Sequence, residues 1–450
     1  MKVGFVSLGC PKNQLDTEVM LHELMSDGFD ITPDETEADV IIINTCAFIE
    51  SAKKESIDTI LEIAALKEEG PLKAIIVTGC LSERYRESIL AELPEVDAVL
   101  GVGSIHEIAK TVRAVIEAKK KSPESPKICS CLPNDEVALG GDRILTTPEH
   151  YSYLKISEGC DNRCTYCAIP SIRGKVRSRP MDELISEAKE LDELGVRELC
   201  IIAQDVTRYG EDLYGEYSLH KLLRRLTEET NIPWFRLLYC YPDKVTDELI
   251  AEIRDNDRIV KYIDIPLQHI SDRVLKMMNR RGDSKLIKGV IEKLRREIPD
   301  IVIRTTFIVG FPGETDEDFE QLCEFVHETA FDRAGVFAYS REEGTPAYNM
   351  KDQIDEQVKL DRLDVIMRDQ LEINTRIGEK RIGKTMTVIY EGFDEISQTH
   401  FGRSYADAPE IDGKIYFKLR KRVPLEIGDF VKVKVTDVLD YDLMGVLVSK

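Results

Sequence analysis

Six times between residues 153 and 339, a short apolar run recurs, and a stretch of helical period lies between most neighbouring runs. The runs fall at 153–156, 198–203, 234–239, 262–265, 302–309 and 334–339, with amphipathic stretches such as 182–194, 219–229 and 286–297 between them. Such alternation leaves few folds open, because parallel strands must be joined by crossovers and those crossovers are right-handed. Six repeats predict a partial (βα)6 barrel, whose chemistry sits at the carboxyl ends of its strands. Runs at 3–7, 40–43, 74–78 and 98–102 repeat the alternation at the amino end and predict an open α/β domain with a parallel sheet. Short alternating runs at 386–390, 414–419, 430–435 and 446–448 are separated by turn residues such as Gly392, Gly413 and Gly428. They predict a small antiparallel β-barrel of OB-like type. The expected class is α/β, with domains at 1–118, 151–350 and 380–450, a linker at 119–150 and a helical connector at 351–379. A chain of 450 residues has room for about three such cores.

The cysteines carry the chemistry. Eleven of them, an odd number spread through a long chain, argue against a disulfide framework and for metal or redox use. Cys160, Cys164 and Cys167 follow the first barrel strand in one tight run. Thiolates suit iron–sulfur clusters or zinc, but closed structural zinc and ordinary ferredoxin sites use four ligands. Three thiolates on a four-iron cluster leave one iron open to an outside ligand. A second set lies in the first domain. The first three strands each end in a cysteine: Leu8-Gly9-Cys10, Asn44-Thr45-Cys46 and Thr78-Gly79-Cys80. Ligands of open α/β sheets bind outside the carboxyl ends of the strands, so three thiols from three strand ends can meet there. Buried structural cysteines are the alternative, and three equivalent positions favour a cluster. Cys129 and Cys131 form a C-x-C pair in the linker and are read as incidental thiols.

Composition narrows the partners. Hydrophobic residues make up 42% and charged residues 32%, and no apolar run approaches the roughly 18 residues of a membrane span. Residues 1–7 enter a strand pattern directly, without the apolar region of a leader. A cytoplasmic location and no membrane partner are expected. A net charge of −22 argues against a mainly electrostatic grip on nucleic acid and suits a basic protein partner. Residues 381–450 hold 11 Lys and Arg against 11 Asp and Glu, whereas a module gripping RNA phosphates is normally basic. Lys418, Arg420, Lys421 and Arg422 could still form a small patch. Four cations lie between Arg173 and Arg179. They read as a solvated face or, beside an anionic cofactor and a carboxylate substrate, as guanidinium forks.

The Cys160–Cys167 spacing, with Tyr166 before the last cysteine, resembles the signature of radical S-adenosylmethionine (SAM) enzymes. Ser7–Asn13, Asn44–Ile49 and Thr78–Leu81 resemble the N-terminal domain of the methylthiotransferases, and the last 70 residues resemble the TRAM domain. The chain thus resembles the radical SAM methylthiotransferase family throughout. Residues 10–13, 169–180, 402–404 and 407–413 are most similar to the branch that modifies ribosomal small-subunit protein twelve. The resemblance implies two 4Fe-4S clusters. Cys160, Cys164 and Cys167 would ligate the catalytic cluster, whose open iron chelates SAM and delivers one electron to form a 5′-deoxyadenosyl radical. Cys10, Cys46 and Cys80 would ligate the cluster that holds the sulfur. The substrate implied is the β-carbon of one aspartate of protein twelve. A flavodoxin- or ferredoxin-like electron donor is implied too, with the sulfur donor unidentified. In related enzymes, strand ends such as Gln204-Asp205, Pro266–His269 and Gly310–Thr315 contact SAM or substrate. Tyr166, Gln204, Asp205, Gly310, Gly313 and Glu314 are the cofactor contacts expected on that basis. The Gly310 segment lacks the lysine of a phosphate loop. Because radical and sulfur must flank one carbon, the two open irons should face one cavity. The competing readings are a tRNA methylthiotransferase acting on a modified adenosine and, more distantly, an iron–sulfur electron carrier.

Overall fold

The computed structural model describes residues 1–122, 125–134, 137, 139–419, 421 and 423–450. The chain packs into two compact units. The first comprises Met1–Thr146, Lys155–Arg179 and Ser340–Tyr348, and the second comprises Thr147–Leu154, Pro180–Tyr339 and Asn349–Lys450.

The first unit is built on β1 (Lys2–Ser7), β2 (Asp30–Thr32), β3 (Val40–Thr45), β4 (Ala74–Gly79), β5 (Ala98–Leu100) and β6 (Ile128–Ser130), with α1 (Pro11–Ser26), α2 (Glu50–Glu69), α3 (Cys80–Glu92) and α4 (Ile108–Lys121) as crossovers. All its strand pairs are parallel, in the order β2-β1-β3-β4-β5-β6. The central strands are buried on both faces, which is why they read as unbroken β-branched runs. Side chains divide by parity. Ile41, Ile43, Ile75 and Val77 join a core with Ile60 and Leu81, while Val40, Ile42, Ala74 and Ile76 join one with Met20 and Val112. Residues 119–150, expected to be only a connector, supply the sixth strand, where Val99 registers with Cys129. Ala168 and Ile172 sit in the same core as Cys80 and Leu81. The segment bearing Cys160–Cys167 is therefore packed into the first unit.

The second unit contains a six-stranded sheet in the order β14-β13-β12-β11-β10-β7. Its elements are β7 (Tyr151–Lys155), which ends in the first unit at Lys155, and then α6 (Met181–Glu193), β10 (Glu198–Ile202), α7 (Glu211–Tyr214), α8 (Leu219–Glu229), β11 (Trp234–Leu237), α9 (Asp247–Asp255), β12 (Ile259–Asp264), α10 (Asp272–Met277), α11 (Ser284–Glu297), β13 (Val302–Val309), α12 (Asp316–Thr329) and β14 (Arg333–Ala338). Between β7 and α6, β8 (Ser157–Glu158), α5 (Ile169–Arg173) and β9 (Arg177–Ser178) belong to the first unit. A long helix, α13 (Glu356–Glu379), leads to β15 (Thr385–Asp394), β16 (Thr399–Ser404), β17 (Ile415–Lys418), β18 (Phe430–Leu439) and β19 (Asp442–Ser449). These five strands close as a barrel. An odd number of strands cannot alternate direction around a closed ring, and β17 and β19 pair in parallel. Among the described residues no helix is long and apolar enough to cross a membrane.

The segment 404–413 is folded inward. Asp407 Oδ1 receives Arg333 Nη2 at 2.6 Å, Tyr262 donates its hydroxyl to Asp412 at 2.7 Å, and Tyr151 donates to Glu410 at 2.7 Å. Arg403 bridges Glu198 and Glu391 at 2.7 and 2.6 Å. Tyr151, Glu198 and Arg333 each begin a strand of the six-stranded sheet. These acids therefore close the amino-terminal end of that sheet, and their charge is spent internally. Arg420 and Arg422 of the expected basic patch lie outside the described residues.

Burial disfavours the Asp407 carboxylate, but Arg333, Arg381 and Ser404 outweigh it and hold its pKa below the usual range. Such a group stabilises the fold above the unfolded aspartate pKa and loses that contribution as pH falls through its folded value. Asp407→Asn is expected to lower stability by about 3 kcal/mol at neutral pH. Urea titrations at several pH values should show the gap to wild type closing as the carboxyl protonates.

Candidate active site

The first triad is set by the sheet. Cys10 precedes α1, Cys46 follows β3 and Cys80 opens α3. A side chain built at Gly9 would lie 3.1 Å from the Cys46 sulfur, so Cys10 and Cys46 are carried by backbones in contact. Burial pushes the Cys80 thiol up to about 12, Arg173 opposes this, and the neighbouring Cys10 and Cys46 sulfurs add to it. Cys46 is raised mainly by burial, with Cys10 contributing. The three sulfurs therefore share one neighbourhood. Gly79 makes it possible: its φ is +93°, and a Cβ there would lie 2.3 Å from Asn44 Oδ1 and 2.4 Å from the Thr45 carbonyl.

Asn13 ties these strand ends together. Its amide donates to the Leu8 and Thr45 carbonyls at 3.1 and 2.9 Å, and Asn44 donates back to the Asn13 carbonyl at 2.8 Å. Asn44 Oδ1 and Thr78 Oγ1 are buried without a hydrogen-bond partner beside the triad. Buried polar atoms are normally satisfied. Soft thiols, a guanidinium and orphaned polar atoms together suit an anionic thiolate-bound cluster.

The second triad lies on the coil between β8 and β9, which pair antiparallel through Ser157 with Ser178 and Glu158 with Arg177. Gly159, at φ +79°, lets the two arms close, since a Cβ there would meet the Lys175 carbonyl at 2.0 Å. The Cys160 amide donates to the Gly174 carbonyl at 3.0 Å, and that of Cys167 to the Cys164 carbonyl at 3.1 Å. Arg163 takes a left-handed conformation, φ 49°. Cys164 is buried, and Cys160, Tyr166 and Cys167 are half-buried. Among the described residues no three His, Cys, Asp or Glu side chains converge tightly enough for a single metal ion. A four-iron cluster is not held that way, because each thiolate meets a different iron.

The two triads are joined by a buried charge cluster that the sequence did not reveal. Arg173 Nη1 donates to Asp16 Oδ2 at 2.6 Å and to Glu158 Oε2 at 3.3 Å, while Lys155 Nζ reaches the same two carboxylates at 2.9 and 3.0 Å. Arg173 Nη2 donates to Asn13 Oδ1 at 2.6 Å and approaches the Cys80 sulfur at 3.7 Å. None of the four charged side chains is more than 4% exposed. Burial would neutralise such groups, but pairing wins. Glu158 falls to about 2 and Arg173 is raised well above its usual value. Gly174, the next residue, accepts from Cys160. A path of one peptide unit and a few polar contacts thus runs from Cys80 to Cys160. The cations from Arg173 to Arg179 are only in part a solvated face: Lys175 is exposed, but Arg173 and Arg179 are buried, and Arg179 donates to the Lys155 carbonyl.

In the second unit, Asp205 accepts from the Thr207 amide at 3.1 Å and caps a short 3-10 turn, next to half-buried Gln204. Gly310 lies against the Lys359 stem. Glu314 is fully buried and receives Arg362 at 2.7 Å, and the Gly313 amide donates to Asp352 at 2.9 Å. Cys129 and Cys131 hold their sulfurs 3.5 Å apart at the sheet edge, with Cys129 exposed.

A partial βα barrel, with three cysteines in the loop that follows its first strand, defines a radical SAM enzyme. Residues 154–326 match the Radical SAM superfamily, residues 2–101 the uncharacterized protein family UPF0004, and residues 382–448 the TRAM domain. A radical SAM methyltransferase, TsrM from Kitasatospora setae, shares the fold at TM-score 0.57 and 14% identity, covering 86% of this chain and 80% of its own. OxsB, a cobalamin-dependent radical enzyme, does so at TM-score 0.51 and 17% identity, covering 83% of this chain and 56% of its own. Closer relatives fix the branch. Proteins described as ribosomal protein uS12 methylthiotransferase RimO are 51% identical in Acetivibrio thermocellus, over 100% of this chain and 99% of the relative, and 53% identical in Caldanaerobacter subterraneus, over 98% and 99%. The chain belongs to the RimO family of radical SAM methylthiotransferases.

Gly79→Ala tests the first triad without any metal. The clash with Asn44 and Thr45 should lower stability by about 2 kcal/mol or more. Mass-spectrometric maleimide labelling of the unloaded protein should find Cys80 modified faster than in wild type.

Proposed function

We propose that this protein transfers a methylthio group to the β-carbon of an aspartate in ribosomal protein uS12, using two 4Fe-4S clusters and SAM. The observation that carries the reading is the assembly of six cysteines, in two sets of three, within one compact unit and joined through Arg173. An electron carrier has no use for three-thiolate sites that each leave an iron open. When bound, the clusters and SAM supply hydrogen abstraction from an unactivated carbon and the sulfur to be transferred.

The chain's own residues do the rest. Cys160, Cys164 and Cys167 would hold one cluster, and Cys10, Cys46 and Cys80 the other. Arg173 places positive charge beside Cys80, which favours thiolate over thiol. Asn13 and Gly79 hold the strand ends in register. Tyr166 in the cysteine loop is a proposed SAM contact, as are Gln204 and Asp205. Gly310, Gly313 and Glu314 would shape the rim on which a cofactor rests. A one-electron donor of flavodoxin or ferredoxin type is required, and the acidic chain suits a basic ribosomal protein.

Reconstituted Cys46→Ala should still cleave SAM to 5′-deoxyadenosine under dithionite yet leave uS12 without the methylthio mass. Wild type should make both products. Methylthio product from the variant would remove the role given to this triad. Mass spectrometry of uS12 and of bulk tRNA, from cells with and without the gene, separates the protein substrate from the RNA one.

A further inference from the structure

One buried carboxylate outside both triads lies on a segment that touches the surroundings of each. Glu342 lies on the segment Ser340–Tyr348, which belongs to the first unit although the strand before it belongs to the second. Its side chain is 1% exposed. It pairs with Arg84 Nη1 at 2.8 Å and with Lys53 Nζ at 3.2 Å, and accepts the Ser340 hydroxyl at 2.7 Å. Desolvated charges at this density are kept only when well paired.

Arg84 and Ser340 lead toward the first triad. Arg84 stands one turn along α3 from Cys80 and donates to the carbonyl of Ala47, the residue after Cys46, at 2.6 Å. Its other nitrogen donates to the Glu343 carbonyl at 2.9 Å. Ser340 accepts from the amide of Glu50 at 3.1 Å and so caps α2, whose own N-cap residue Ile49 makes no side-chain cap. At the far end of the segment, the Ala347 amide donates to the carbonyl of Thr165, between Cys164 and Cys167, at 2.9 Å.

We propose that Ser340–Tyr348, keyed by Glu342, is a strap that fixes the backbone beside Cys46 and the backbone beside Cys164 at once. Glu342 is a positioning residue for transfer between the two metal sites. The inference rests on the proposed two-site reaction, because only such a reaction needs the sites in fixed relation. Misplacement of reacting groups by a fraction of a bond length already lowers transfer steeply. Loosening the strap should therefore spare SAM cleavage and reduce its capture as product.

Two variants test this in the full-length reconstituted enzyme. Glu342→Gln keeps the shape and removes the charge. Arg84→Lys keeps the charge and removes the fork that reaches three acceptors. Glu343→Gln, on an exposed side chain, is the control. Three quantities are read: iron per chain, amide exchange of peptides covering 46–50 and 163–168, and the molar ratio of 5′-deoxyadenosine to methylthio product. Both variants should keep wild-type iron and exchange both peptides about tenfold faster. Their ratio should rise about tenfold, with the control unchanged. A wild-type ratio in Arg84→Lys, or faster exchange in one peptide only, overturns the strap, as does iron loss in both variants with an unchanged ratio. If wild type itself yields no methylthio product while both peptides loosen together, the proposed reaction fails and the mechanical coupling stands.

Discussion

The guanidinium of Arg173 is the point on which the first unit turns. It brings one positive charge into a pocket holding Asp16, Glu158 and Lys155, so four buried charges sum to zero. Such a cluster is a poor source of net stability, because desolvation offsets most of the attraction. Its value is in specification. Asp16 belongs to α1, while Lys155, Glu158 and Arg173 flank or follow the cysteine loop. Any packing that separates these segments leaves charges buried without partners, at several kcal/mol each. The fold therefore carries its two cysteine sets together or not at all.

The loop after β7 packs within the first unit: Ala168 and Ile172 enter the core beside β3 and β4, and Ser340–Tyr348 belongs to the same unit. Both segments leave β strands of the second unit and return to it. In that unit, charge serves a different end. Arg236, Arg333 and Arg403 are buried against Glu198, Asp407 and backbone carbonyls and seal the base of the sheet. Asp407, Glu410 and Asp412 are engaged there.

How much could be read from the chain depended on whether a feature was local. β3 and β4 are continuous β-branched runs buried on both faces, and they are unmistakable. The edge strands β2 and β6 are three residues long and carry no period. β16 escaped because its buried positions are Thr399, Gly402, Arg403 and Ser404, which leave no apolar alternation. The cysteines at three strand ends were legible because topology alone brings such ends together. Arg173 was not, since a lone cation in a charged run looks solvated and its partner Asp16 lies 157 residues away. Glu342 and Arg84, 258 residues apart, were hidden for the same reason. The glycines at 310 and 313 suggested a ligand, and their packing against a lysine stem and an Asp352 hydrogen bond was not legible in the sequence.

The sharpest check is a double-mutant cycle on the ion pair that joins α1 to the cysteine loop. Asp16→Asn, Arg173→Met and the double variant would be compared by the exchange free energy of the slowest amides in β3 and β4. Each single change strands a buried charge, so the pair should show a coupling energy of about 2 kcal/mol. Additivity within about 0.5 kcal/mol would mean that the two cysteine-bearing segments fold independently and that Arg173 does not hold them together.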